Sequence, residues 1–131
     1  MRLLPLVALL LTLAACSTAR EPIPIPAVED FVVVNELEAN ERIRTRDRDG
    51  WRYLNDRYVV YWTRRKNYLL EFRRECKYLR ENAEKVPDLR IDQGSLRARI
   101  DTIRGCVVSH IYTITPDQKI ELYTLGDAPG A

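Results

Sequence analysis

Residues 51–72 read WRYLNDRYVVYWTRRKNYLLEF. Aromatic and β-branched residues recur there at period two, the spacing that sends alternate side chains to opposite faces of a pleated strand. WRYL and RYVVYWT flank Asn55-Asp56, a turn-forming pair, so Trp51–Thr63 is expected to be a β-hairpin. Trp51 and Tyr53 share one face of its first strand; Tyr58, Val60 and Trp62 share one face of its second. Arg64-Arg65-Lys66-Asn67 then reads as a basic turn, and Tyr68, Leu70 and Phe72 line one face of a third strand. A rival pattern overlaps it. Leu69, Phe72, Cys76, Leu79 and Ala83 follow the three-and-four spacing of an amphipathic helix, which would make 67–85 one helix. We expect a strand to about Arg73 and a short helix from about Cys76 to Glu84.

Upstream, Phe31–Val34 is a short apolar run, read as a first strand or an irregular lead-in. Residues 36–50 are highly charged, with Arg42, Arg44, Arg46 and Arg48 at period two, a basic strand face or a loop. Downstream, Pro87-Asp88 breaks the chain, Leu89–Ile91 is a short strand candidate and Gln93-Gly94-Ser95 a turn. Arg99–Arg104 and Cys106–Ile114 read as strands. In the latter, Val107, Ser109, Ile111 and Thr113 face one way, and Val108, His110, Tyr112 and Ile114 the other. Thr115-Pro116-Asp117-Gln118 has the form of a helix start, with a capping threonine, proline at the first helical position and a glutamine that closes a capping box. That helix runs to about Tyr123. The fold expected is a small α+β domain over residues 31–125, an antiparallel sheet of four to six strands with one or two short helices and one disulfide. At 131 residues, 46% hydrophobic and 31% charged, the chain has room for one such folded domain.

The N-terminus has another composition. Arg2 precedes an apolar run from Leu3 to Ala15, interrupted by Thr12 alone among polar residues, so 1–15 reads as a secretory signal peptide. It is short of the roughly 20 apolar residues that span a bilayer. It ends Leu13-Ala14-Ala15-Cys16, which resembles the lipobox of bacterial lipoproteins. The resemblance implies cleavage before Cys16 and acylation of its sulfur and new amine. Two or more acyl chains anchor stably where one does not. An aspartate after the cysteine often retains such proteins in the inner membrane. Ser17 therefore points to the periplasmic face of the outer membrane, with the inner membrane the alternative. In residues 16–30, Pro22, Pro24 and Pro26 alternate with Ile23 and Ile25. This favours a polyproline-type tether over an edge strand. Residues 126–131 are expected to form a loose tail.

With Cys16 given to lipid, Cys76 and Cys106 remain, an even number in an oxidising compartment, and the simplest inference is one disulfide. One histidine, no cysteine cluster and few glycines leave no recognisable metal, phosphate or cofactor site. His110 and Ser109 are neighbours and point apart on a strand, and Asp101 reads as the partner of an arginine, so no catalytic residue is assigned.

From Trp51 onward the layout resembles a family of small exported bacterial proteins labelled as a domain of unknown function, number 6491 of its series. The residues that carry the likeness are Trp51 before the hairpin, Tyr68-Leu69-Leu70, Cys76 with Leu79, Asp101-x-Ile103, Cys106 and Ile111, over roughly residues 50–115. The resemblance implies the disulfide and the envelope address, and no activity, substrate or catalytic residue.

Charge is segregated along the chain. Residues 16–41 hold one basic and six acidic side chains, 42–80 thirteen and five, and 81–131 six and eight, for nets of −5, +8 and −2. An aromatic–basic stretch suits a nucleic-acid strand, but an exported, tethered protein rarely meets one, so no nucleic-acid partner is expected. The expected contacts are the membrane through its lipid, and anionic envelope components or another envelope protein through Arg64, Arg65 and Lys66, with Trp62 and Tyr68 beside them. The function expected is a non-catalytic binding or scaffolding module. The alternatives are a small-ligand carrier with a pocket of Trp51, Tyr53, Tyr58 and Trp62, and a small hydrolase using Asp101 or His110.

Overall fold

The computed structural model describes residues 21–46, 48–86, 89, 91 and 94–126. Cys16, the leader, the tail from 127, and Pro87, Asp88 and Gln93 lie outside them. In chain order the elements are α1 (Ile25–Val34), β1 (Ala39–Asn40), β2 (Arg42–Arg44), β3 (Arg48–Tyr53), β4 (Tyr58–Thr63), β5 (Asn67–Phe72), α2 (Lys77–Glu81), β6 (Ser95–Arg97), β7 (Thr102–Ile103), β8 (Cys106–Ile114) and α3 (Pro116–Thr124).

The main sheet is antiparallel, in the order β1-β8-β5-β4-β3, with β7 also paired to β8, and β2 and β6 form a separate ribbon. The α+β expectation with one disulfide holds. So does the strand reading of residues 67–72, with a helix starting just after Cys76. The hairpin turn is fixed by Asn55, which is buried. Its Oδ1 accepts from the amides of Arg57 (2.8 Å) and Tyr58 (2.9 Å), and its Nδ2 donates to the Ile23 carbonyl at 2.9 Å. Ile23 in turn donates its amide to Leu54 O at 2.8 Å. The chain therefore enters the domain at the tip of the β3–β4 hairpin.

Both faces of the sheet are buried. On one, Trp51, Val59, Tyr61, Tyr68, Leu70, Phe72 and Val108 pack against Ile43 and Leu96 of the β2–β6 ribbon and Leu79 of α2. We call this the disulfide face, because Cys76 and Cys106 bond beside it. On the other, Leu54, Tyr58, Val60, Leu69, Tyr112 and Ile114 pack against Val28 and Phe31 of α1 and Leu122 of α3. We call this the helical face. The expected sharing of faces along Trp51–Phe72 is met.

Several expectations fail. The proline tether does not extend through residue 30, and Phe31–Val34 is not a strand. Ile23 is buried, Pro26 sits in the first turn of α1, and Phe31 lies in the core. A proline in a first helical turn forfeits no intrahelical bond, so the alternating prolines open a helix. The alternation along β8 slips. Glu71 pairs with His110 but Phe72 with Val108, leaving Ser109 as a bulge whose hydroxyl donates to Glu71 O at 3.1 Å. Val108 thus joins Ile111 on the disulfide face instead of His110 on the other. Arg99–Arg104 is mostly turn: only Thr102–Ile103 pairs, in a two-residue hairpin across Arg104 (φ 51°) and Gly105 (φ 83°). Ser95, expected in a turn, opens β6, and Leu89 and Ile91 are buried without forming a strand. The capping box of α3 is present as expected, with Thr115 Oγ1 accepting from Gln118 N and Gln118 Oε1 from Thr115 N.

Cys76 and Cys106 are 30 residues apart in sequence and join the start of α2 to the start of β8. Closing a loop of that length restricts the unfolded chain by about 3.5 kcal/mol on the chain-entropy model. Replacing both cysteines with alanine is expected to lower the unfolding free energy by about that amount, read as a lower urea midpoint. An unchanged midpoint would show that the bond adds nothing to stability.

Candidate functional site

The β4–β5 turn carries the expected cations. Thr63 N donates to Lys66 O at 2.9 Å, and Thr63 Oγ1 accepts from the amides of Arg65 and Lys66. The backbone is thus held while Arg64, Arg65 and Lys66 all point into solvent. None of the three forms an ion pair with a described residue. The two expected aromatic companions separate. Tyr61 pairs with Tyr68 and Trp62 with Asn67, so Tyr68 and Trp62 face opposite sides of the sheet. Tyr68 is buried and stacks on Tyr61, with ring centroids 6.3 Å apart, so it is a core residue and not a contact residue. Trp62 stays half-buried, and its ring leaves no room at Gly50, where a Cβ would stand 2.7 Å from Trp62 Cζ2. Lys119 of α3 brings its ammonium to 3.9 Å from the Trp62 ring centroid, adding a fourth cation at this end. The sequence shows the start of that helix but not which side of it meets the sheet.

A second constellation escaped the sequence reading. Glu71 lies on the helical face in direct register with Tyr58 and His110. Its Oε1 accepts from Tyr58 OH (3.0 Å) and Arg57 Nη2 (3.2 Å), and its Oε2 meets His110 Nδ1 (2.7 Å) and Tyr112 OH (3.4 Å). Arg57 also reaches Glu29 of α1 at 3.5 Å. This network clasps α1 to the sheet. A carboxylate in the otherwise apolar run Tyr68–Phe72 was its only sequence signal. Every lone pair so engaged has a donor, which describes structural satisfaction better than a poised base.

The hydrolase alternative loses its geometry. Asp101 is held by Arg97, accepting from its amide (2.7 Å), Nε (3.3 Å) and Nη2 (3.0 Å). These bonds to Arg97 hold the Asp101 carboxyl below the usual carboxylate range. His110 is held by Glu71, and the structure does not bring it to Asp101. The carrier pocket is not assembled either, because Trp51 and Tyr53 lie on the disulfide face, Tyr58 and Trp62 on the helical one. A groove of about 960 Å³ does run beside the edge strand β3, lined by Ile23, Tyr53, Leu54 and Tyr123 among others. Its charged lining is balanced, three acidic (Glu21, Glu81, Glu84) against three basic (Arg52, Arg80, Lys85), so it selects no charge. Among the described residues no cluster of histidine, cysteine or carboxylate side chains could hold a metal, and no helix is long and apolar enough to cross a membrane.

The model of a family of unknown function, DUF6491, matches residues 1–123. No curated protein and no solved structure matches the chain.

The tyrosines around the sheet give a pH signature. Burial, then the neighbouring Glu71 charge, pushes Tyr112 up to about 12. Burial alone takes Tyr123 to about 12, and burial with a carboxylate partner raises Tyr58 and Tyr53 further. Unfolded tyrosines ionise near 10. Their contribution is therefore complete below about pH 10 and is lost as pH climbs toward 12, where the unfolded chain sheds protons that the folded one retains. Tyrosinate absorbance is expected to rise together with loss of tertiary structure in that window. Smooth ionisation near pH 10 in an intact fold would contradict the packing described.

Proposed function

The chain belongs to DUF6491, a family of unknown function, and from its sequence and the geometry of its domain we propose a lipid-anchored, non-catalytic binding module of the bacterial cell envelope. Its anchor is acylated Cys16, and its periplasmic domain presents Arg64, Arg65 and Lys66 to an anionic partner. The leader, the cysteine at its boundary and the disulfide support the envelope address.

One observation carries the binding reading. The three cations stand on a backbone-clamped turn, without ion-pair partners among the described residues, at the sheet end opposite the one by which the chain enters. Ile23 is fastened at the Leu54–Asn55 tip, and β4 runs from there to Thr63. Six strand residues span about 20 Å. Seven residue steps from Cys16 to Ile23 reach at most about 25 Å. The connection keeps the entry end within about 25 Å of the anchoring bilayer, and the cations stand about 20 Å farther along the sheet. The partner that fits is carboxylate-bearing, a cell-wall polymer or the acidic face of another envelope protein. Arginine forks pair well with such groups.

The test uses the chain from Ser17 onward, without lipid, at low salt. Replacing Arg64, Arg65 and Lys66 together by glutamine is expected to weaken retention on isolated cell-wall material roughly tenfold, since exposed pairs contribute up to about 1 kcal/mol each. The melting temperature is expected to stay unchanged, because all three are exposed. Unaltered retention by the triple variant would refute this assignment.

A further inference from the structure

The turn between β6 and β7 is built under strain. Arg99 has φ 67°, in the left-handed region that favours glycine. Asp101 holds the turn by three bonds to Arg97, and its own amide donates to Arg97 O at 3.0 Å. Arg99 N donates to Val108 O at 2.7 Å, and Val108 N to Asp101 O at 3.2 Å. These bonds fix Ile100 at the apex, where it is 64% exposed. An isoleucine held out by a strained, clamped turn gains nothing from water.

Exposed cations share this end of the sheet. Arg99 is the chain neighbour of Ile100, and Arg104 is exposed on the next turn, its guanidinium 5.6 Å from the Tyr78 ring. Arg73 N donates to Val107 O at 2.9 Å, which sets Arg73 and Arg74, both exposed, on the adjoining strand end. Of the acids at this end, Asp101 is occupied by Arg97, Asp56 lies 3.8 Å from Arg80, and Glu75 is exposed. Among the described residues, Arg73, Arg74, Arg99 and Arg104 therefore outnumber the unpaired acid Glu75 at the sheet end that carries Ile100.

The tip also lies at the chain-entry end. Val108 pairs with Phe72 and Glu71 with Tyr58, so β8 begins at the sheet end to which Ile23 is fastened. We propose that this end is a membrane-docking surface, with Ile100 entering an anionic lipid bilayer while Arg73, Arg74, Arg99 and Arg104 engage headgroup phosphates. An exposed apolar tip at a sheet end rich in exposed arginines matches the layered chemistry of that boundary. An acidic protein face would satisfy the arginines but would need a matching apolar pocket for Ile100, whereas a bilayer offers an apolar layer beneath its headgroups everywhere. The reading leans on the envelope assignment only for the presence of a bilayer; docking itself is measured without the lipid anchor.

The experiment is vesicle sedimentation of the oxidised chain from Ser17 onward, which holds every described element. Vesicles are phosphatidylcholine with phosphatidylglycerol, against phosphatidylcholine alone, at low salt. Preferential binding to the anionic vesicles is expected. Ile100→Ser should weaken it roughly tenfold, and the pair Arg73→Gln with Arg74→Gln by at least as much. Arg99→Gly, which suits the left-handed backbone, should keep the turn and lose about fivefold. Absence of binding to anionic vesicles overturns the proposal, as does equal binding to both vesicle types. Arginine variants that weaken binding while Ile100→Ser does not would overturn insertion. Loss on replacing Arg64, Arg65 and Lys66 instead would move the contact to the other end. Failure of Cys16 to be acylated would leave these results untouched, so the two readings fail separately.

Discussion

The central strands are covered on both sides, and everything this molecule can offer a partner follows from that. β4, β5 and β8 send side chains alternately to a face closed by the β2–β6 ribbon and α2, and to a face closed by α1 and α3. Among the described residues, neither face of these strands is open to solvent. Rings that look like a recognition surface in the sequence, Tyr58, Tyr61 and Tyr68, are core. Contact is left to turns, edges and strand ends, and the cations of residues 42–80 concentrate there. Arg64, Arg65 and Lys66 occupy one end, and Arg73 and Arg74 the other.

Burying both faces requires that the covering layers be fastened to the sheet, and two unlike devices do this. On one side the Cys76–Cys106 bond holds α2 to β8. On the other, Glu71 gathers Arg57, Tyr58, His110 and Tyr112 while Arg57 extends to Glu29 on α1. A carboxylate so placed would cost several kcal/mol if its donors were removed. The first device works only where thiols oxidise, which links the fold to the compartment in which it matures. The Asn55 side chain performs a related task, joining the hairpin turn and the incoming chain in one set of bonds and so fixing which end of the sheet the N-terminus serves.

Local chemistry was legible in the sequence and coverage was not. The Trp51–Phe72 meander and the capping box at Thr115 could be read because their signals lie within a few residues of the structure they specify. The prolines before α1 could not, because Ile-Pro-Ile-Pro satisfies an extended chain and a helix start alike, and burial of Ile23 and Phe31 decides between them. The bulge at Ser109 has no local marker, yet it moves Val108 across the sheet. For the candidate site, the exposure of Arg64, Arg65 and Lys66 was foreseeable from turn chemistry. The burial of Tyr68 and the approach of Lys119 to Trp62 depend on which layers cover the sheet, a long-range property. Cys16 rests on sequence alone.

The proposed export, acylation and oxidation of the chain are tested most directly by intact-mass analysis of the native protein extracted from membranes. The mass expected is that of a polypeptide beginning at Cys16, heavier by its acyl groups and lighter by the two hydrogens of one disulfide. A water-soluble, full-length chain with its leader uncut and three free thiols would contradict the proposal.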